Sequence, residues 1–167
     1  MCHGCAILDG MSELDLRETW PAFLAALETG DQEAMLAAFD DQQRAFAAAV
    51  LALDAEALAS NIDPAYELHN HTAFFDWRDI YHGIDGMMEW AGQINDAAGE
   101  FEFVVERIER SGDRLVTLGR MRASGRTSQI AAEFPWAQVW TLRDQTILRV
   151  DVFSEHDRAL AAAARPG

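Results

Sequence analysis

A chain of 167 residues, half of them apolar, is long enough for one domain with its own hydrophobic core. Its net charge of −15 repels phosphate backbones and anionic lipid head groups, so neither nucleic acid nor a membrane is expected as a partner. The chain contains no lysine, which excludes Schiff-base chemistry. Because it has neither an apolar run of membrane-spanning length nor a signal pattern, we expect a cytoplasmic protein.

The first residues offer an incomplete metal site. Cys2 and Cys5 frame the sequence CHGC, and no second cysteine pair exists to complete four zinc ligands. We therefore interpret residues 1–13 as a disordered lead-in.

A helical pattern follows, with apolar residues at helical spacing from Leu14 to about Ala59. Gly30 is expected to end a first helix, and Asp31 is expected to begin a second.

This helical region contains an internal repeat. Residues 23–41 align without gaps with residues 46–64, and each copy predicts a helix, a brief break and a short helix. One duplication is too little for a solenoid. We assign residues 14–43 to an extra N-terminal helical hairpin and residues 44–167 to the main domain.

After Pro64 the pattern changes from helical to alternating. A short strand is predicted at residues 65–70, a helix at 84–98 and a closing helix at 155–164. Four longer strands are predicted between the last two helices, at residues 101–109, 114–124, 130–143 and 146–154. Helices followed by antiparallel hairpins indicate an α+β fold.

The alternation within these strands separates two faces of the sheet. One face is apolar and aromatic, and on a single strand it carries Phe134, Trp136, Gln138 and Trp140. The other face is charged, with arginines opposed by acids that are expected to pair across strands: Arg120, Arg122 and Arg126 with Glu102, Glu106, Glu133 and Asp151. A curved sheet would make the aromatic face the lining of a pocket.

Three segments carry a resemblance to a known family: DAEALASNIDPAYELHN, IYHGIDGMMEWA and FPWAQVWTLRDQTILRVDVF. Their order resembles the nuclear transport factor two-like superfamily over about residues 44–163, and within it the SnoaL-like branch, which is similar to polyketide cyclases and ketosteroid isomerases. The resemblance implies a cone-shaped, curved antiparallel sheet wrapped over helices, and a homodimer that forms through the sheet. The fold hosts isomerases, cyclases and dehydratases as well as non-catalytic binding domains.

The acids typical of these relatives are missing from this chain. By resemblance, the general base of the isomerases falls at Leu68, their acidic oxyanion donor at Gln138, and the acid of the cyclases at Val152. The neighbouring Asp151 is expected to face outward. These absences favour the alternative to an enzyme, a non-catalytic ligand-binding or dimerisation module.

Residues 66–83 are the stretch richest in side chains able to do chemistry. His69 and His71 share one face of a strand and form a usable chelate, with Asp76 or His82 as a third ligand, as in a cupin-like metal enzyme. The alternation places both histidines on the outer face, so we expect two solvated histidines, no metal and no cofactor.

The same stretch supplies the candidate catalytic residues. His82 is predicted to be the acid and base, with Asp79 orienting it; alternatively, His82 binds backbone and Asp79 pairs with Arg78. The predicted ligand-binding residues are Tyr66, Asn70, Tyr81, Trp90, Trp136, Gln138 and Trp140. The expected function is a small-molecule enzyme that acts on an apolar cyclic or carbonyl compound by proton transfer, as an isomerase, cyclase or dehydratase.

Overall fold

The computed structural model of the protein describes residues 14–72, 77–97, 100–124 and 131–165. The predicted lead-in, residues 1–13, lies outside these ranges. In chain order the elements are α1 (Leu16–Thr29), α2 (Gln32–Leu51), α3 (Ala55–Ala59), β1 (Ile62–Asn70), β2 (Ile80–His82), α4 (Gly83–Ala97), β3 (Glu100–Ser111), β4 (Arg114–Ser124), β5 (Ala131–Arg143), β6 (Thr146–Phe153) and α5 (His156–Ala164). They form two compact units, one up to residue 62 and one from residue 63 onwards. None of the described helices is both long and apolar enough to cross a membrane.

The ends of the first two helices follow the predicted capping signals. Gly30 ends α1 in the left-handed conformation, with a φ of 68° that glycine adopts without steric cost. The Asp31 carboxylate begins α2 by accepting hydrogen bonds from the backbone N–H groups of Glu33 and Ala34. Both predicted boundaries are confirmed.

Helix α2 is longer than the internal repeat predicts. The repeat predicts a short second helix within residues 23–41, but α2 runs for 20 residues to Leu51. That prediction is wrong because residues 32–51 contain neither glycine nor proline, so nothing in their sequence interrupts the helix. The second copy does break as predicted, and Asp54 caps the short α3.

Aromatic and polar contacts both join α1 to α2. The Phe23 and Phe39 rings meet edge to face with their centroids 5.4 Å apart. Between the same two helices, the buried Thr19 hydroxyl donates a 2.7 Å hydrogen bond to Gln42 Oε1. This buried hydrogen bond fixes the pairing of the helices more specifically than apolar contacts alone.

The second unit is built on a six-stranded sheet in the order β2-β1-β6-β5-β4-β3. Its hairpin neighbours pair antiparallel, and the sheet as a whole is mixed. The predicted α+β fold with an N-terminal helix pair is confirmed. The four longer strands match their predicted ranges to within two residues, whereas the three-residue β2 was not predicted.

The strand register sorts the side chains of the sheet into two faces, because directly opposed residues point the same way. Gln138 lies opposite both Thr117 and Val152. We call this side the aromatic face and define it by Thr117, Trp136, Gln138, Trp140, Val150 and Val152. The alternate positions form the helix-covered face, where Ala159 and Ala163 of α5 pack with Val116, Leu118, Ala137, Val139 and Phe153.

The prediction of a wholly charged second face is wrong where α5 lies, because the strands there are apolar on both sides and the helix covers them. Elsewhere on this face the predicted ion pairs are confirmed for Arg120 and Arg122. They bind Glu102, Glu106 and Glu133. Asp151 pairs instead with Arg149, and Arg126 lies outside the described residues.

Candidate functional site

Aromatic rings cluster around Trp136 on the aromatic face. Trp136 is 1% exposed, and its ring meets those of Trp77 and Phe103 edge to face at centroid distances of 6.4 and 5.8 Å. Trp77 in turn meets Trp90 of α4 at 6.0 Å. These edge-to-face contacts bring two of the predicted ligand-binding residues, Trp90 and Trp136, into one cluster.

Three polar atoms of predicted ligand-binding residues are buried here without a hydrogen-bond partner among the described residues. They are Nε1 of Trp90, Nε1 of Trp136 and Oε1 of Gln138. Each such group costs about 1–3 kcal/mol if it stays unpaired. The cluster therefore contains two N–H donors and one carbonyl acceptor whose hydrogen bonds no described residue supplies.

Two further predicted ligand-binding residues have polar groups that the protein already pairs. The Tyr81 hydroxyl donates to Gln93 Oε1 at 2.5 Å and accepts from the Arg78 backbone N–H. Asn70 Oδ1 accepts from both the backbone N–H and the hydroxyl of Thr72. These pairings fix the two side chains and leave them fewer groups to offer a ligand.

The two remaining predicted ligand-binding residues, Tyr66 and Trp140, each carry one polar group on an aromatic ring. Burial raises the pKa of the Tyr66 phenol well above its ordinary value, so the hydroxyl remains protonated and serves only as a neutral hydrogen-bonding group. Trp140 Nε1 donates to the Thr117 hydroxyl at 3.2 Å.

The predicted catalytic pair lies away from the aromatic cluster. The His82 side chain is 71% exposed and lies on the opposite side of β2 from the buried Tyr81, with Nδ1 3.4 Å from Glu67 Oε1. Asp79 is exposed, and its backbone carbonyl accepts from the Asn70 N–H. No hydrogen bond joins the Asp79 and His82 side chains in the described part of the chain. Their catalytic role stays a prediction.

A second group of titratable side chains lies on the side of the sheet that carries Asp151. We call it the histidine cluster and define it as Glu67, His69, His71 and Asp151. His69 Nε2 lies 2.7 Å from Glu67 Oε2, and His71 Nε2 lies 2.8 Å from Asp151 Oδ1. Two strands, β1 and β6, therefore contribute to one polar group.

Asp151 is only 7% exposed, yet the pKa of its carboxyl is lowered. Burial raises its pKa, but hydrogen bonds from Arg149 and His71 outweigh burial and hold the pKa of Asp151 below its ordinary value. Arg149 binds both carboxylate oxygens, with Nε at 2.8 Å from Oδ2 and Nη2 at 2.6 Å from Oδ1.

The histidine cluster borders a cleft of about 660 Å³ beside α5. His71, Arg149, Asp151, Phe153 and Arg158 line this cleft. The His71 ring stacks on Phe153 with a centroid distance of 4.6 Å and an interplanar angle of 10°. The cleft has the size typical of small-molecule sites.

Sequence reasoning placed His69 and His71 on this face but expected both to be solvated and missed Asp151. That expectation is wrong, because the two side chains are only 14% and 32% exposed and pair with Glu67 and Asp151. Sequence reasoning offered Asp76, which lies outside the described residues, or His82 as the third group. Alternation alone places Asp151 on the same face as Arg149 but gives no sign that β6 lies beside β1. That adjacency depends on long-range pairing of strands.

Comparison with known proteins agrees with this architecture. A family model for the SnoaL-like domain matches residues 43–150. No curated protein matches the chain in sequence.

Several solved structures share the fold. TerC, co-crystallised with polyporic acid, is 17% identical, with 71% of this chain and 92% of TerC covered and a TM-score of 0.56. A protein of ketosteroid isomerase-like fold from Catenulispora acidiphila, in complex with trimethylamine, is 15% identical, with coverages of 72% and 90% and a TM-score of 0.54. A protein described as a SnoaL-like polyketide cyclase from a Jannaschia species is 18% identical, with coverages of 67% and 80% and a TM-score of 0.52.

These likenesses confirm the predicted resemblance and the nuclear transport factor two-like fold. Because the family model matches more than half of its residues, the chain belongs to the SnoaL-like domain family.

Proposed function

We propose that the aromatic face binds an apolar cyclic molecule that carries both a carbonyl and a hydroxyl group, and that the protein acts on it by proton transfer. The observation that carries this proposal is the set of three buried polar atoms, on Trp90, Trp136 and Gln138, that have no hydrogen-bond partner among the described residues. Two N–H donors match the lone pairs of a carbonyl oxygen, and the amide oxygen of Gln138 matches a hydroxyl donor. The surrounding rings match a flat apolar body.

The ligands of two solved structures of this fold are consistent with a small organic molecule. TerC was co-crystallised with polyporic acid, and the Catenulispora acidiphila protein with trimethylamine. Polyporic acid is a hydroxyquinone, so it carries the carbonyl and hydroxyl groups that the three unpaired atoms require. It is the first compound to test.

The direct experiment is calorimetric titration of the full-length protein with polyporic acid, comparing Trp136→Phe and Gln138→Met with the unaltered chain. Each variant removes one hydrogen bond to the ligand and keeps an apolar side chain, so we expect affinity to fall by about 5–10-fold. Trp20→Phe and Gln42→Met make the same changes in the N-terminal unit and should leave affinity unchanged. Equal losses in all four variants would contradict the proposed contacts.

Catalysis is the second part of the proposal, with isomerase, cyclase and dehydratase chemistry as its candidates. The proton-transfer pair proposed from the sequence is His82 with Asp79, although both lie away from the aromatic cluster. Tyr66, Asn70, Tyr81 and Trp140 are proposed to line the site with the three buried polar groups. Consumption of a bound compound by the protein, lost in His82→Ala, would support this assignment. Unchanged turnover in His82→Ala would remove it.

A specific observation favours a non-catalytic binding module instead. The positions that the register assigns to the aromatic face on β4, β5 and β6 carry no carboxylate and no imidazole within the described residues. Under this alternative, a compound binds and is recovered intact. A homodimer formed through the sheet, proposed from the family resemblance, is tested by the molar mass in solution.

A further inference from the structure

The histidine cluster contains the donor set of a divalent transition-metal site. Three potential ligand atoms lie within 4.8 Å of one another: a ring nitrogen of His69, a ring nitrogen of His71 and a carboxylate oxygen of Asp151. Two imidazoles and a carboxylate are a donor set that binds Zn²⁺ and other divalent first-row metals. None of these residues belongs to the aromatic cluster, so this site is independent of the proposed function.

The backbone holds these three donors in position. His69 and His71 are alternate residues that point to the same side of the chain, and Asp151 reaches that side from β6. The backbone N–H of His71 donates to the backbone carbonyl of Val152 at 2.9 Å, which fixes how the end of β1 lies against β6. His69 and Asp151 lie on strands, which hold ligands more precisely than loops do, whereas His71 directly follows β1 and is held by its hydrogen bond to Val152.

Little movement is needed to close the three donors around a cation. Metal–ligand bonds of about 2.0–2.1 Å place tetrahedral donors about 3.3 Å apart. His71 Nε2 and Asp151 Oδ1 are already 2.8 Å apart, and the widest separation in the set is 4.8 Å at most. Rotation of one imidazole about its side-chain bonds covers the remaining distance.

The neighbours of these donors resemble the supporting groups of metal sites. Glu67 lies 2.7 Å from His69 Nε2, Arg149 holds both oxygens of Asp151, and Phe153 stacks on the His71 ring. In metalloproteins such partners orient the ligands, and their loss weakens binding. Glu67 and Asp151 contribute two negative charges, which are opposed by Arg149 at the Asp151 carboxylate and by Arg158, whose guanidinium donates to the His71 carbonyl.

We propose that His69, His71 and Asp151 bind a divalent transition-metal ion, with Zn²⁺ as its first candidate, at the wall of the cleft beside α5. Three protein ligands leave the fourth position of a tetrahedral ion to water or to a bound molecule, which is typical of catalytic rather than structural zinc. His71 and Asp151 both line the cleft, so a ligand of the ion would enter from there.

The test is titration of the full-length protein with Zn²⁺ in a Cys2→Ser, Cys5→Ser background, because the CHGC segment is a competing zinc ligand. We expect one equivalent of Zn²⁺ per chain, and Co²⁺ in its place should give the visible absorption bands of a four- or five-coordinate ion. His71→Ala and His69→Ala should each lower the affinity more than tenfold. His156→Ala, the same change outside the cluster, should leave the affinity unchanged.

Asp151→Asn keeps the shape of the Asp151 side chain and removes its charge. A loss of zinc affinity in this variant would therefore reflect the missing carboxylate rather than a changed side-chain shape. Circular dichroism establishes that each variant is folded, and Zn²⁺ should raise the melting temperature of the reference protein but not that of the cluster variants. Absence of zinc binding in the Cys2→Ser, Cys5→Ser background would overturn the proposal. So would binding that survives both histidine substitutions, because the residues of the site would then be dispensable.

Discussion

Two buried glutamines differ in whether their side-chain amide oxygen has a hydrogen-bond partner among the described residues. Gln42 Oε1 accepts a hydrogen bond from the Thr19 hydroxyl, whereas Gln138 Oε1 is buried without a described partner. Removing one partner of a buried hydrogen bond leaves the other partner buried without a hydrogen bond, which is costly. Removing an acceptor that had no partner leaves no donor unsatisfied. The same substitution should therefore have different effects at the two positions.

We expect Gln42→Met to lower the free energy of unfolding by about 1–3 kcal/mol, because the Thr19 hydroxyl loses its acceptor. Gln138→Met should be neutral or stabilising by up to about 1 kcal/mol, because the thioether needs no hydrogen bond. Denaturant unfolding of both variants, without ligand, is the measurement. A loss at Gln138 as large as that at Gln42 would mean that the protein itself satisfies the Gln138 amide.

Two glycines, one in a strand and one in a helix, differ in the space available for a side chain. A Cβ placed on Gly119 of β4 would lie 1.9 Å from the Val104 carbonyl oxygen of β3, next to the register shift between Val105 and Arg107. A Cβ on Gly92 in α4 would meet no described atom within 4 Å beyond its chain neighbours and the backbone of its own helix. The first glycine permits close approach of two strands, and the second only weakens a helix.

We expect Gly119→Ala to destabilise the protein by at least about 3 kcal/mol, since backbone must move to relieve the contact. Gly92→Ala should stabilise it by about 0.5–1 kcal/mol through helix propensity. The free energies of unfolding of the two variants test this. If Gly119→Ala were tolerated as well as Gly92→Ala, the β3–β4 bulge would not require close backbone approach.

The sequence predicts those elements that carry a repeating pattern. Strands β3 to β6 alternate over eight or more residues, and their ranges could be predicted closely. The three residues of β2 are too few for alternation to be recognised, so His82 was placed at a turn rather than on a strand. The meeting of His71 with Asp151 was not predictable, because it depends on which strands become neighbours and not on either local pattern.

At the scale of the whole molecule, an excess of 15 negative charges acts on every element at once. Raising the NaCl concentration from about 0.01 to 0.15 M shortens the screening length from about 30 to 8 Å. Repulsion between distant carboxylates is then screened, whereas ion pairs in direct contact, such as Arg122 with Glu133 at 2.8 Å, are screened much less. Exposed pairs are in any case worth only about 0.2–1 kcal/mol each.

Salt should therefore stabilise this protein. We expect a gain of about 1 kcal/mol, seen as a rise of about 2–4 °C in the melting temperature between the two NaCl concentrations. Choline chloride should produce the same rise if the cause is screening, whereas a rise confined to NaCl would indicate bound sodium. A fall in melting temperature with salt would mean that attraction within the ion pairs outweighs the net repulsion. The fold would then depend on its arginine–glutamate pairs more than their exposure suggests.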